Sequence, residues 1–313
     1  MREIKDKVPL LEVQDLSVAF RMYDKAIHQE ELQVISDLSI TVRKGEILAI
    51  AGSSGSGKSL LAHAVLGLLP SNAICKGSIR YNGQQLTPEL QQRLRGTKIA
   101  LVPQSVTYLD PLMQVGQQVR GTLKGNGAVA AQRKAFKRYD LEQETEKMYP
   151  FQLSGGMARR VLACTALISD AQLIIADEPT PGLGTEVAME MLRTFRELAD
   201  SGKGVVLITH DIELAFGIAD RIAVFYAGTT VETAAASDFS MGGEALRHPY
   251  SKALYHALPQ KGFKPIAGSQ PYVGDLPKGC LFAPRCQYMT EVCGNKIPMR
   301  ELRGGTVRCI HAT

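Results

Sequence analysis

The 313-residue sequence predicts an α/β fold built on a parallel sheet, and three observations carry that expectation. Short apolar runs recur at GEILAIAG (45–52), AQLIIAD (171–177) and GVVLITH (204–210), each ending in a glycine or a polar residue, as buried strands do. Helical patterns separate them, SLLAHAVLGLLP (59–70) after the first run and EVAMEMLRTFRELADSG (186–202) between the second and third. A glycine-rich turn, GSSGSGKS (52–59), joins the first run to its helix. Strand–helix–strand order favours parallel pairing, because a crossover helix returns the chain to the same edge of the sheet.

The other elements follow from local pattern. LLEVQDLSVAF (10–20) alternates apolar and polar residues like an exposed edge strand. The first helix is expected to close at Pro70, which cannot continue it. Polar, mostly helical residues fill the stretch from Pro111 to Tyr149, broken at GNG (125–127). After about Val231 the pattern loosens into a Pro/Gly-rich linker, KGFKPIAGSQPYVGDLPKG (261–279), and a cysteine-bearing tail follows. Nothing in GNKIPMRELRGGTVR (294–308) reads as core-forming, and the chain shows no internal repeat.

Composition narrows the class. Hydrophobic residues at 45% and charged residues at 21% are ordinary for a globular protein. A net charge of +5 leans weakly towards anionic partners and falls short of a nucleic-acid signature. The charged start MREIKDKVPLLEV lacks the apolar core of a signal peptide. No apolar run approaches the roughly 20 residues a spanning helix needs. The expectation is therefore a soluble, cytoplasmic chain that does not itself cross a membrane.

The glycine-rich turn carries the first chemistry. Gly52, Ser53, Ser54, Gly55, Ser56, Gly57, Lys58 and Ser59 satisfy G-x-x-x-x-G-K-[ST], after a strand and opening a helix, and together with Leu60 they are the expected ATP-binding residues. Glycines let the backbone wrap closely round phosphates, so that its N–H groups and the helix N-terminus face the anion. Lys58 would reach the β- and γ-phosphates of ATP, and Ser59 Oγ would ligate Mg²⁺. Asp177 and Glu178 end the second apolar run, where an acid on a parallel strand points into the ligand crevice. Asp177 suits Mg²⁺, and Glu178 suits the general base that polarises the attacking water.

LSGGM (153–157) makes the reading specific: it resembles the L-S-G-G-Q signature of ABC-type ATPases, with Met157 in place of Gln. Ser154, Gly155 and Gly156 open a helix and offer donors to an anion. The resemblance implies that this anion is the γ-phosphate of ATP held by the opposing subunit of a head-to-tail dimer. It also implies a RecA-like core with a β-subdomain and a helical subdomain at about 105–168, a cassette over 1–235, and a C-terminal extension over 236–313. Gln104 in ALVPQ resembles the Q-loop glutamine that senses Mg²⁺, and His210 in LITHD the switch histidine. Phe20 resembles the aromatic that stacks on adenine, with Tyr23 as a substitute. PGLG (181–184) departs from the family's S-A-L-D, so that Gly184 replaces an aspartate linking the two ATP sites.

The resemblance extends into the tail. RHPYSKALYHALP (247–259) and LPKGCLFAPRC (276–286) are similar to the C-terminal extension of oligopeptide, dipeptide and nickel importer ATPases. It implies two membrane permease subunits, a second and different ABC ATPase, an extracytoplasmic solute-binding protein, and a place on the cytoplasmic face of the cell membrane, with no nucleic-acid partner. Peptide or nickel remains open as cargo, and a non-transport ABC ATPase acting on nucleic acid or ribosomes is the alternative of another class. Cys280, Cys286, Cys293 and Cys309 lack the C-x-x-C knuckles of zinc sites, and a reducing compartment disfavours disulfides. Four thiolates in a loop-rich segment suit an iron–sulfur cluster, and the resemblance implies [4Fe–4S]; Zn²⁺, with His311 as a replacement ligand, and no metal remain open.

Overall fold

A computed structural model describes residues 8–24, 28–53, 55–121, 123, 125–240 and 242–313. Strands β1 (Leu11–Asp24) and β2 (His28–Val42) form a long antiparallel hairpin. Strand β3 (Ile47–Gly52) leads through the glycine-rich turn into helix α1 (Lys58–Leu66). Strands β4 (Ala73–Tyr81) and β5 (Gln84–Gln85) complete a four-stranded antiparallel sheet in the order β2-β1-β4-β5. The edge-strand expectation for residues 10–20 is therefore corrected: β1 pairs on both sides. Its apolar face, Leu11, Val13, Leu16 and Val18, is buried against α1 and the neighbouring strands. Alternation reports that one face is wet and says nothing about how many neighbours a strand has.

Helix α1 also ends earlier than expected. Gly67, with φ +65°, donates its N–H to the last-turn carbonyls of His63 and Ala64, closing the helix three residues before Pro70. A left-handed glycine after the last turn satisfies carbonyls that a proline cannot.

Helix α2 (Pro88–Leu94) and strand β6 (Ile99–Val102) lead into a helical region. There α3 (Val115–Arg120), α4 (Asn126–Arg138) and α5 (Gly155–Leu167) bury Val115, Val119, Phe136, Tyr139, Val161 and Leu162 together. Strand β7 (Leu173–Asp177), helix α6 (Thr185–Asp200) and strand β8 (Gly204–Thr209) follow. The helical region is tied to α6 by a 2.8 Å bond from Tyr139 Oη to Thr194 Oγ1 and by Arg138, which reaches Glu190 and Glu197 at 2.7 Å each. Helix α7 (Ile212–Ile218), strands β9 (Arg221–Tyr226) and β10 (Thr229–Ala235), and helices α8 (Ala236–Ser240) and α9 (Pro249–His256) complete this part.

The second sheet has the order β11-β12-β10-β9-β3-β8-β7-β6, and its five strands from β9 to β6 run parallel. Its far edge is the tail hairpin, β11 (Arg300–Leu302) and β12 (Gly305–Val307), which adds antiparallel to β10. Residues 294–308 thus do contribute core, because Val307 is fully buried and Arg308 N–H bonds Val231 O at 2.8 Å. Leu246, Tyr250 and Phe282 share one apolar cluster with Ala49, Ala51, Val224 and Tyr226 of the central strands. A buried ion pair fixes the start of the tail: Arg247 lies 3.2 Å from Glu232 and 2.9 Å from Asp238, and Glu232 also accepts the Arg247 and His248 backbone N–H groups. Two strands of three residues carry too little pattern to be seen in isolation; pairing with β10 creates them.

Candidate active site at the strand ends

Register brings the site together. Strands β3, β8 and β7 are parallel neighbours, so their C-terminal ends, and the residues just beyond, converge at one edge. Gly52 must be glycine, because a Cβ there would lie 2.4 Å from Phe225 O on the adjacent strand. Gly55 and Gly57 take φ of +75° and +92°, conformations that turn the loop back on itself before α1. Ser56 Oγ bonds Ser53 O at 2.8 Å across the turn. Ser54 lies outside the described residues.

Lys58 is 6% exposed, and its Nζ donates to Gly52 O at 2.9 Å and Ser53 O at 2.8 Å. Burial pushes its pKa down, an effect opposed by the charges of Glu178 and Asp177. Among the described residues this ammonium is held by loop carbonyls alone, inside a cradle of backbone, an arrangement that fits an anionic ligand. Ser59 Oγ donates to Asp177 Oδ1 at 3.1 Å, so two hard oxygen donors stand together, as Mg²⁺ requires. Asp177 is 4% exposed, and burial raises its pKa, with the Ser59 hydrogen bond opposing and the Glu178 charge adding. The side chain of Leu60 packs into the core beneath the loop, leaving its backbone as the part that faces the turn.

Glu178 is 5% exposed and adopts φ +47°, a left-handed conformation uncommon for a residue with a side chain. Its N–H donates to Ile208 O at 2.9 Å, and its Oε2 lies 2.8 Å from Nδ1 of His210. Gln104, two residues past β6, is exposed, and its side chain makes no hydrogen bond among the described residues. Phe20 on β1 is partly buried against the first core cluster; the side chain of Tyr23 lies outside the described ones.

Ser154 caps α5, its Oγ accepting the Met157 N–H at 3.2 Å, and Ser154 and Gly155 are exposed. Among the described residues, the neighbouring helix backbone aside, no atom lies within 4 Å of a Cβ built on Gly155 or Gly156, so the helix start is open to an incoming group. Gly184 occupies the N-cap of α6 with φ −63° and ψ 152° and equally free surroundings.

All six cysteines are free thiols, and four of them, Cys280, Cys286, Cys293 and Cys309, lie in the tail. Cys280 N–H bonds Cys293 O at 2.8 Å. Burial pushes the Cys309 thiol up to about 11, and the charges of Cys280, Cys286 and Cys293 add to that shift. Among the described residues no group of three or more His, Cys, Asp or Glu closes round a single metal ion. His311 Nε2 lies 3.0 Å from Thr290 Oγ1, whose other neighbour is Cys293 Sγ at 3.7 Å.

One neighbour of the phosphate loop has no signal in local sequence. Ser53 Oγ donates to Oε1 of Gln270, 217 residues further along, at 2.6 Å.

This fold and site define an ATP-binding cassette. The family model described as "ABC transporter" matches residues 35–181, and that described as "Oligopeptide/dipeptide transporter, C-terminal region" matches residues 231–293. The chain belongs to the ABC transporter ATP-binding family, and within it to the branch carrying this C-terminal region. It is 37% identical to the oligopeptide transport ATP-binding protein OppD of Salmonella typhimurium, over 96% of this chain and 92% of that one. It is 33% identical to the dipeptide transport ATP-binding protein DppD of Bacillus subtilis, over 96% and 94%. Among solved structures it is similar to an ATP-binding cassette dimer in a post-hydrolysis state bound to ADP and Pi. That likeness has a TM-score of 0.64 and 25% identity, covering 72% of this chain and 98% of that one. The cassette is an ATPase that works with ATP and Mg²⁺. No helix among the described residues is long and apolar enough to cross a membrane.

Proposed function

We propose that this chain is the ATP-hydrolysing subunit of an ABC importer of oligopeptides or dipeptides. The observation that carries the reading is its likeness to an oligopeptide transport ATP-binding protein through cassette and tail alike, over 96% of the chain. That likeness favours peptides over nickel as cargo.

Each residue then has a task. The phosphate loop cradles the β- and γ-phosphates through its N–H groups, and Lys58 leaves the Gly52 and Ser53 carbonyls to neutralise them. Ser59 and Asp177 hold Mg²⁺, with Gln104 approaching from the end of β6. Glu178 accepts the proton of the attacking water, and His210 orients that carboxylate. Ser154, Gly155 and Gly156 present the open start of α5 to the nucleotide of a second ATPase subunit. Phe20 offers its ring to the adenine.

The division follows the same reading: a cassette at 1–235 with its helical part at about 105–168, and the extension at 236–313. The chain would sit at the cytoplasmic face of the membrane beneath two permease subunits, beside a distinct second ATPase, fed by an extracytoplasmic binding protein. In the tail, Cys280, Cys286, Cys293 and Cys309 supply four thiols within one loop-rich segment, a ligand type and number that would suit an iron–sulfur cluster. Such a cluster would serve structure or docking, since its ligands lie far along the chain from the phosphate chemistry.

The test is reconstitution with permeases and partner ATPase in vesicles. Uptake of labelled oligopeptide should require this chain and MgATP and should stop with Glu178→Gln. Nickel uptake without peptide uptake would overturn the cargo, and co-purification with ribosomes alone would overturn transport.

A further inference from the structure

The tail reaches the nucleotide site. Ile266 and Ala267 are clamped by Arg285, whose Nε donates to Ala267 O at 2.8 Å and whose Nη2 donates to Ile266 O at 3.1 Å. The same guanidinium donates to Tyr226 Oη at 3.2 Å and stands about 6 Å from the Tyr226 and Phe282 ring centroids, a cation–π geometry. Tyr226 ends β9 immediately after Phe225, whose carbonyl forces glycine at position 52. From that anchor the chain runs to Gln270, which accepts the Ser53 hydroxyl at 2.6 Å. It then turns at Tyr272–Asp275, where a Cβ on Gly274 would stand 3.8 Å from Leu32 Cδ1. Leu32 is the cross-strand partner of Phe20. The segment thus passes from the phosphate loop to β2, the strand paired with the one that carries the aromatic.

We propose that residues 266–274 are a strap laid by the tail across the nucleotide site, and that Gln270 is a positioning residue for ATP acting through Ser53. The inference rests on the reading of 52–59 as the ATP site. Ser53 O is one of the two carbonyls that hold Lys58, so Lys58 must leave it when phosphate arrives. A hydrogen bond through the Ser53 side chain fixes the residue while leaving its backbone groups free for that exchange. Gln270 does this as a neutral acceptor, adding no negative charge beside a triphosphate. Preorganising a loop in its binding shape raises affinity by lowering the entropy lost on binding. Because Arg285 is adjacent to Cys286, the order of the cysteine segment is transmitted to the loop through the strap.

The experiment is calorimetric titration of the full-length chain with MgATP. Gln270→Ala should weaken binding by about three- to tenfold, the effect of one neutral hydrogen bond. Ser53→Ala should do the same, and the double variant should be no weaker than either single one, because one bond is removed in all three. Arg285→Ala should match Gln270→Ala and add nothing to it. Gln270→Glu keeps an acceptor but places a charge near the phosphates, so its penalty should be largest at low ionic strength, a salt signature that a merely structural role does not produce. Unchanged or tighter MgATP binding by Gln270→Ala, or additive Ser53 and Gln270 effects, would overturn the strap while Lys58→Ala still abolished binding. Full binding by Lys58→Ala would instead overturn the site assignment, and the strap with it.

Discussion

Nδ1 of His210 lies 2.8 Å from Oε2 of Glu178, joining a side chain that is 53% exposed to one that is nearly fully buried. The pair is a product of register. Asp177 stands opposite Ile208, and the Glu178 N–H continues that pairing onto the Ile208 carbonyl. Each side chain therefore starts from the end of a parallel strand, and the carboxylate is aimed by backbone as well as by imidazole.

Replacing Glu178 with Gln removes the proposed base and leaves the glycine-rich loop in place. ATP hydrolysis should fall by about 10²- to 10⁴-fold in the assembled transporter, with MgATP affinity retained. Phosphate release and nucleotide binding measured on the same preparation check this, and wild-type turnover would remove Glu178 from the mechanism.

Gly184→Asp tests the departure in the turn before α6. Backbone angles of φ −63° and ψ 152°, with no atom near the position of a Cβ, make Gly184 an N-cap that tolerates a side chain. Aspartate should cap the helix, adding a few tenths of a kcal/mol to stability, since Asp is a better N-cap than glycine. In the complex it should raise ATPase rate or its cooperativity by restoring the cross-site carboxylate. Urea unfolding reads the first effect and steady-state kinetics the second; rates and cooperativity unchanged would make the glycine silent.

Iron should accompany the tail thiols. Protein purified without air should be brown with about four irons per chain, the content of a four-cysteine [4Fe–4S] site. Cys309→Ser should bleach it and loosen the tail, while MgATP binding falls no further than in Gln270→Ala. Stoichiometric zinc without iron would replace the cluster by a zinc site, with His311 the first ligand to examine.

Acid should destabilise the fold through His248. Its ring is fully buried, Nδ1 accepts the Tyr250 N–H at 3.0 Å, and burial pushes its pKa down to about 3. The unfolded chain, with a histidine pKa near 6.5, binds the extra proton first, so stability is complete above about pH 6.5 and is lost as pH falls towards 3. At pH 5 the loss should be about 2 kcal/mol, and His248→Gln should remove that part of the pH slope. Urea midpoints at pH 7.5 and 5 compare the two proteins; equal slopes would show that His248 does not titrate on unfolding.

The placement of the candidate site was legible in the sequence because its parts are local. A turn that must pass close to phosphates needs Gly52, Gly55 and Gly57 at fixed spacing, and an apolar strand ending in Asp177 and Glu178 advertises an acid at a sheet edge. The parallel core followed from the same runs. Tertiary structure decided what depends on partners distant in sequence. β1 became an inner strand because β2 and β4 flank it, although alternation alone resembled an edge. The hairpin at Arg300–Val307 exists because β10 supplies the hydrogen bonds that six residues cannot supply themselves. Gln270 meets Ser53, and Arg285 holds the linker beside Tyr226, contacts that no periodicity or motif in residues 261–279 encodes. Local rules constrain backbone conformation and which side chains share a face; long-range packing selects which faces meet.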